Sequence, residues 1–305
     1  MGATRLRALV SGATGYIGSH MVSALVAAGW EVAGLFHKTA PADRQSCQWF
    51  AADKARDAVV SFRPHVIVHL ATLYKAQHSP SDVAAMIDAN LHLGAELLDG
   101  LQSIGGGGFV NAGTYFSYDA QGGPAPNSFY AATKLSFQQM LDYYAREGGV
   151  RAATLVLFDV YGPADRRGKL LPQLISLARS PSPPSPLGLT PGQQLLDFLH
   201  IKDVLNAFLI AAMRTQAGQD AEGGWHRVWC LPSGLRLSLR DVVAMIETIT
   251  GRSLPVTWGA RPYPSHQVFR PTAGLPTLPG WQPQISLEAG IREMLNAAID
   301  SAGSI

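Results

Sequence analysis

The stretch LRALVSGATGYIGSHMVSALVAAGW, residues 6–30, decides how the rest of the chain is read. Its first part is a short apolar run ending in glycine, and from Tyr16 onward apolar side chains recur at helical spacing until Gly29 ends them. Strand, turn and helix therefore follow one another. Within the turn, Gly12, Gly15 and Gly18 stand at G-x-x-G-x-x-G spacing. Glycines so placed let backbone N–H groups approach a pyrophosphate, while the N-terminus of the following helix favours its negative charge. The bland alternative is a tight βα turn that binds nothing. The position between a strand and a helix favours a dinucleotide.

Working outward, EVAGLF (31–36), HVIVHLA (65–71) and GFVNAGT (108–114) read as further strands, with helical stretches around 54–63 and 82–101. SFYAATKLSFQQMLDYYAREGG (128–149) reads as a helix closed by two glycines, and RAATLVLFDVYGP (151–163) as a strand stopped by Gly162 and Pro163. Strands rich in Val, Ile and Leu that alternate with helices predict a parallel sheet covered on both faces, an α/β, doubly wound architecture. RSPSPPSPLGLTPGQQ (179–194) excludes an interior helix or a central strand and reads as a linker or as a loop over a ligand cleft. DFLHIKDVLNAFLIAAM (197–213) resumes as a strand edge and a helix; SLRDVVAMIETITG (238–251) is a helix with Ser238 as its cap; a last helix starts near Ser286 after a proline-rich tail. The expected domains are a dinucleotide-binding unit over 1–160, to which 197–214 returns, and a smaller C-terminal substrate-binding lobe over 161–196 and 215–305.

A chain of 305 residues with 47% apolar residues can fill a substantial core. Charged residues are 15% of the chain, the net charge is +2 and the Lys and Arg positions are scattered, so no nucleic acid partner is expected. Cys47 and Cys230 are far apart and lack a CxxC or His-rich neighbour, which fits reduced thiols and no metal site. No apolar run reaches the roughly 18–20 residues that span a bilayer, and the glycine loop follows the start of the chain without a signal-peptide pattern. A soluble, cytoplasmic protein with no membrane partner is the expectation.

Cofactor preference turns on the end of the second strand, where an NAD site carries an acid for the adenosine ribose. Phe36, His37 and Lys38 stand there, and the next carboxylate is Asp43. His37 and Lys38 suit a 2′-phosphate, so NADPH (NADP) is favoured and NAD is the alternative; solvated loop side chains are the plain reading of both. Asp53, at the end of FAAD (50–53), is placed to accept from the adenine amino group or to cap the helix that follows.

In YAATK (130–134) the Tyr130 phenol and the Lys134 ammonium lie on one side of a helix. A YxxxK pair alone proves nothing. Here it follows the fourth strand of a dinucleotide-binding unit, and that strand ends at Thr114, on the sheet edge where ligands of such folds bind. Hydride transfer to a carbonyl carbon needs a proton at the oxygen; a phenol whose pKa of about 10 is lowered by a nearby ammonium would deliver it. Thr114 would donate a hydrogen bond to the same oxygen, or simply satisfy backbone at a strand end.

Taken in order, GATGYIG (12–18), HLAT (69–72), YAATK and FDVYGP (158–163), with LDFLHIKDVLNAF (196–208) and PGWQPQISLEAGI (279–291), resemble the extended short-chain dehydrogenase/reductases of the nucleotide-sugar-modifying branch over nearly the whole chain. HLATLYKAQHSP, NAGTYF and GLTPGQQLLDFLHIKDV are most similar to the 4-keto-6-deoxyhexose reductases of the CDP-abequose and CDP-paratose synthase type. The resemblance implies a Rossmann-like sheet with Tyr16, Ile17, Leu70, Ala71, Thr72, Phe158 and Val160 lining the cofactor. It also implies Lys134 on the nicotinamide ribose, Tyr115 beside Thr114 at the substrate, and a homodimer through the 82–101 and 128–147 helices. Family dehydratases carry an Asp-Glu pair after the threonine; Tyr115 and Phe116 stand here, so elimination is not expected. The family's first diphosphate arginine is Leu196 in this chain, which leaves Arg261, with Lys169 or Arg270, for the nucleotide-diphosphate sugar. His69, Asn111 and His200 read as structural polar residues beside apolar strands. An NADPH-dependent 4-keto reductase is the expected activity. A 4-epimerase with tightly bound NAD and a non-catalytic NADPH-binding regulator are the alternatives.

Overall fold

The structure, a computed structural model, describes residues 5–41, 47–180, 185–218 and 226–297. In chain order β1 (Arg7–Ser11), α1 (Tyr16–Ala27), β2 (Glu31–Phe36), β3 (Gln48–Ala51), α2 (Ala55–Phe62) and β4 (Val66–His69) come first. They lead to α3 (Val83–Ile87), α4 (Leu93–Ser103), β5 (Gly107–Thr114), α5 (Phe129–Glu147) and β6 (Val150–Leu157). The later elements are β7 (Asp159–Tyr161), α6 (Leu170–Arg179), β8 (Leu187–Leu189), β9 (Leu195–His200), α7 (Ile201–Ala217), β10 (His226–Cys230), β11 (Arg236–Ser238), α8 (Leu239–Thr250), β12 (Val256–Trp258) and α9 (Leu287–Asn296).

The chain forms two compact units. The first contains residues up to Phe158 together with Val204–Leu231 and Pro271–Trp281. Its seven strands, in the order β10-β6-β5-β4-β1-β2-β3, are all parallel. This is a Rossmann-like doubly wound sheet. One face packs Leu9, Ile67, Phe109 and Ala152 against Leu97, Phe137 and Leu141 of α4 and α5. Helix α5 starts where Ser128 accepts from the Ala131 N–H at 3.2 Å and stops at Gly148, whose φ is 122°.

The second unit contains Asp159–Asp203, Pro232–Arg270 and the chain from Gln282. It has its own core, in which Leu174, Val242, Ile246 and Ile291 are fully buried. A three-stranded sheet, β11-β9-β7, and the pair β12-β8 supply its strands. Ser238 caps α8 in a box with Asp241, and Ser286 caps α9 by accepting from the Ala289 N–H.

Two boundaries differ from the sequence reading. The run 151–163 is not one strand: it breaks at Phe158, and β6 and β7 join different sheets. Apolar content alone cannot show that break. The segments returning to the first unit are Val204–Leu231, whose β10 adds to the edge of β6, and Pro271–Trp281, rather than 197–214 alone. Residues 181–184 of the proline-rich stretch lie outside the described residues, and its later part supplies β8. Among the described residues no helix is long and apolar enough to cross a membrane.

Phe109 is 0% exposed between the sheet and α5. Phe109→Ala is expected to lower the unfolding free energy by about 3–5 kcal/mol, the cost of a large cavity, read from urea denaturation.

Candidate active site

The first piece of the site is the turn between β1 and α1. Gly12 has φ +66°, and a Cβ there would lie 2.7 Å from the Ala71 backbone nitrogen, so only glycine fits without displacing the 70–71 backbone. A Cβ on Gly18 would collide with the Gly12 carbonyl oxygen. Helix α1 begins at Gly15 with no side-chain cap and no acidic residue in its first turn. Its dipole is therefore uncompensated by protein, and an anion is the natural complement. These are the features a dinucleotide needs, so the residues fit the group. Tyr16 and Ile17 open that helix half-buried.

Around the turn, His37 and Lys38 are exposed just beyond β2. Asp53 is exposed in a short 3₁₀ turn, and α2 begins at Ala55 with Lys54 before it and no side-chain cap, so Asp53 does not cap that helix. Asp43 lies outside the described residues. Leu70 and Ala71 leave β4 against the glycine turn, their N–H groups donating to Ser11 Oγ at 3.2 and 3.3 Å.

The second piece is the start of α5. Thr114 ends β5 nearly buried and accepts from the Phe116 N–H at 3.3 Å, which leaves its hydroxyl hydrogen available to donate. Ser117 Oγ donates to the Ala131 carbonyl at 3.0 Å and so holds the segment after Thr114 against the first turn of α5. Tyr115 is buried, its ring stacked on Phe158 at 5.3 Å and 19°. Its ring therefore serves as wall more than as an open polar contact.

Tyr130 meets Tyr74 edge to face at 4.9 Å and hydrogen-bonds with Thr72. Burial pushes its phenol up to about 12; the Thr72 bond opposes the rise and Tyr74 adds to it. Lys134, only 1% exposed, is pulled down to about 8 by burial. The phenol is therefore shifted upward by burial, the opposite direction from the lowering expected of a neighbouring ammonium.

Asn90 was not anticipated. It is fully buried in a π-helical turn, Asp88–His92, that joins α3 to α4. Its Oδ1 accepts from Thr72 Oγ1 (3.0 Å) and the Leu73 N–H (2.7 Å), while Nδ2 donates to the Leu73 carbonyl (3.2 Å) and Thr133 Oγ1 (2.9 Å). It fixes the segment that touches Tyr130 to α5. The available signal was an amide four residues after Met86, on the stripe that also buries Leu97.

Of the remaining expected residues, Val160, Lys169, Arg261 and Arg270 belong to the second unit. Val160 and Lys169 are half-buried, and burial draws the Lys169 ammonium below its ordinary value while Asp159 opposes this. Arg261 and Arg270 are exposed and form no ion pair among the described residues. Asp197 of the LDF landmark is buried, pushed up by that burial, and accepts from the Ser233 N–H at 2.9 Å. His200 is buried with Nε2 3.4 Å from Glu293.

A glycine turn feeding a helix on a parallel sheet, with Thr, Tyr and Lys at its C-terminal edge, defines a nicotinamide-dinucleotide enzyme of the doubly wound class. Residues 8–223 match the model of the NAD dependent epimerase/dehydratase family, and the chain belongs to that family. The CDP-abequose synthase of Salmonella typhimurium is 27% identical, over 94% of this chain and 96% of that one. The UDP-glucose 4-epimerase of Rhizobium leguminosarum bv. trifolii is 25% identical, over 93% and 94%. In fold the chain is similar to MoeE5 in complex with UDP-glucuronic acid and NAD, at TM-score 0.79 and 23% identity over 95% of this chain and 97% of that one.

Two outcomes are expected. Asn90→Leu strands the Leu73 N–H and carbonyl and should cost about 2–4 kcal/mol in chemical denaturation, with turnover falling as the Thr72–Tyr130 contact loosens. Turnover should fall above about pH 8, where Lys134 loses its charge, while Tyr130 stays protonated to about 12. A profile flat from pH 7 to 10 would remove Lys134 from the limiting step.

Proposed function

We propose that the chain is an NADPH-dependent reductase of the 4-keto group of a nucleotide-linked 4-keto-6-deoxyhexose. The observation that carries this reading is the setting of Tyr130 at the start of α5, under Tyr74 and Thr72, where burial strengthens the hold of the phenol on its proton. Reduction consumes a proton at the carbonyl oxygen, which a neutral phenol supplies; 4-epimerisation starts by removing one from a hydroxyl, which needs phenolate.

When bound, the reduced nicotinamide supplies the hydride. The chain's residues do the remaining work. Tyr130 gives its proton to the ketone oxygen as the carbon accepts hydride, so that the carbonyl becomes a secondary alcohol and Tyr130 is left as phenolate. The buried Lys134 ammonium stabilises that phenolate in a poorly solvated setting where a charge acts strongly. Thr114, with its hydroxyl hydrogen uncommitted, donates to the same oxygen. Gly12, Gly15 and the start of α1 receive the pyrophosphate, and His37 and Lys38 meet the 2′-phosphate. Tyr115 and Phe116, with Phe158, give an apolar wall where a dehydratase has carboxylates, which suits a sugar with a methyl at carbon 6. Arg261, with Lys169 and Arg270, is assigned to the substrate diphosphate. A homodimer in the cytoplasm completes the reading, and the exposed Ile87 and Tyr143 sit on the helical stretches assigned to its interface.

A 4-epimerase that retains NAD is the second reading, favoured by the similarity to the Rhizobium UDP-glucose 4-epimerase. One assay separates them: protein, NADPH and a 4-keto-6-deoxyhexose nucleotide are mixed and the near-ultraviolet absorbance of the reduced ring is followed. Stoichiometric consumption is expected. Inversion of the sugar with no net cofactor change would replace this reading with the epimerase, and tight binding without turnover would replace it with a regulator. Tyr130→Phe should lower turnover by about 10²–10⁴-fold while leaving cofactor affinity near wild type.

A further inference from the structure

Ser11, His69, Asn111 and Thr154 occupy one row of the seven-stranded sheet. They are register partners in turn, Ser11 with His69, His69 with Asn111 and Asn111 with Thr154, and each is 0% exposed. Polar groups inside a sheet are costly unless their hydrogen bonds close, so donors and acceptors can be counted along the row. Ser11 Oγ accepts from the Leu70 and Ala71 N–H groups, so its own hydrogen goes to His69 Nδ1 at 2.7 Å. His69 is thereby an imidazole protonated at Nε2. It packs against Phe137 at 5.0 Å and Phe109 at 5.7 Å. Burial, and then the Lys134 charge, hold its pKa well below the ordinary value, so the ring is neutral.

Farther along, Asn111 Nδ2 donates to Thr154 Oγ1 at 3.1 Å. Thr154 Oγ1 is 2.9 Å from His226 Nε2, and His226 Nδ1 is 2.8 Å from Asp142 Oδ1 on α5. An ionised carboxylate only accepts, which puts a hydrogen on His226 Nδ1, and in the neutral ring Nε2 then accepts from the Thr154 hydroxyl. Every bond then points one way, from the Leu70 and Ala71 amides toward Asp142. A single junction is open: His69 Nε2 and Asn111 Oδ1 have no hydrogen-bond partner among the described residues. One is a donor and the other an acceptor, on paired residues of neighbouring strands.

We propose that these six residues form one directional hydrogen-bond chain, closed between His69 and Asn111 by a single buried water, that fixes α5 with its Tyr130–Lys134 pair against the glycine-loop strand β1. Buried waters of this kind satisfy otherwise stranded polar atoms and belong to the fold. His69 and His226 are positioning residues. The bonds themselves do not rest on the reaction assigned above; their effect on turnover does.

Long-range ¹H–¹⁵N spectra of the full-length protein, labelled at histidine and assigned with His69→Gln and His226→Gln, read the two tautomers. Opposite forms are expected, Nε2–H at His69 and Nδ1–H at His226, with the His69 proton slow to exchange. A His69 ring protonated at Nδ1, or a His226 ring carrying a hydrogen on Nε2, alone or together with Nδ1, would break the direction of the chain and overturn the proposal. In a second arm Thr154→Val removes the central hydroxyl. Its dissociation constant for the nicotinamide dinucleotide, by fluorescence titration, should rise about tenfold, and kcat should fall by a similar factor with the sugar KM unchanged. Thr154→Ser should restore both. A folded Thr154→Val protein that binds cofactor as the wild type does would overturn the positioning role. The tautomers are read on the unaltered chain, so a variant that does not fold leaves that arm standing. Cofactor affinity separates failure of the chain from failure of the assigned reaction.

Discussion

Two turns of backbone, Ser11–Gly12 and Leu70–Ala71, meet more closely than any side chain would allow. Everything at the site depends on that contact. Because Gly12 has no Cβ, the chain leaving β1 lies against the Ala71 amide on its way into α1. Because Ser11 Oγ collects the Leu70 and Ala71 N–H groups, the segment leaving β4 is pinned to the same place. Thr72, two residues on, then reaches Tyr130. The glycine turn and the Tyr130 phenol are thus positioned by one local constraint.

Burial sets the chemistry of the pair on α5. A phenol and an ammonium in water would titrate within a unit of each other. Packed under the 70–74 segment and against the sheet, they move apart, the acid upward and the base downward, since desolvation penalises whichever form is charged. The two proton affinities are therefore set mainly by the surrounding packing rather than by one another. Asn90 contributes by joining Thr72 and Leu73 to Thr133, and it does so from a π-helical turn, a local irregularity that often accompanies function.

Much of this was legible in the chain. The glycine turn, the strands rich in branched residues, and the caps Ser128, Ser238 and Ser286 are local signals, and local signals survive without a structure. What was not legible is what packing decides. HRVWC has no long apolar run to mark it, so the strand β10 is recognisable only from its partner β6. The break at Phe158 is invisible because both halves of 151–163 are apolar. The upward shift of Tyr130 depends on how much water the fold removes, which spacing does not report. His69 and Asn111 read as satisfied structural groups, and only the register of β4 with β5 shows them adjacent and each with one atom unmet.

The seventh strand of the sheet is encoded long after the sixth. While the ribosome is still making the second unit's first stretch, β6 waits with one flank unpaired, eight residues of mostly apolar chain offering open amides and carbonyls. Such an edge recruits any extended segment nearby. Newly made copies crowded together would be most vulnerable to sticking during that interval, and holding chaperones would matter more to the yield of this protein than its finished stability suggests.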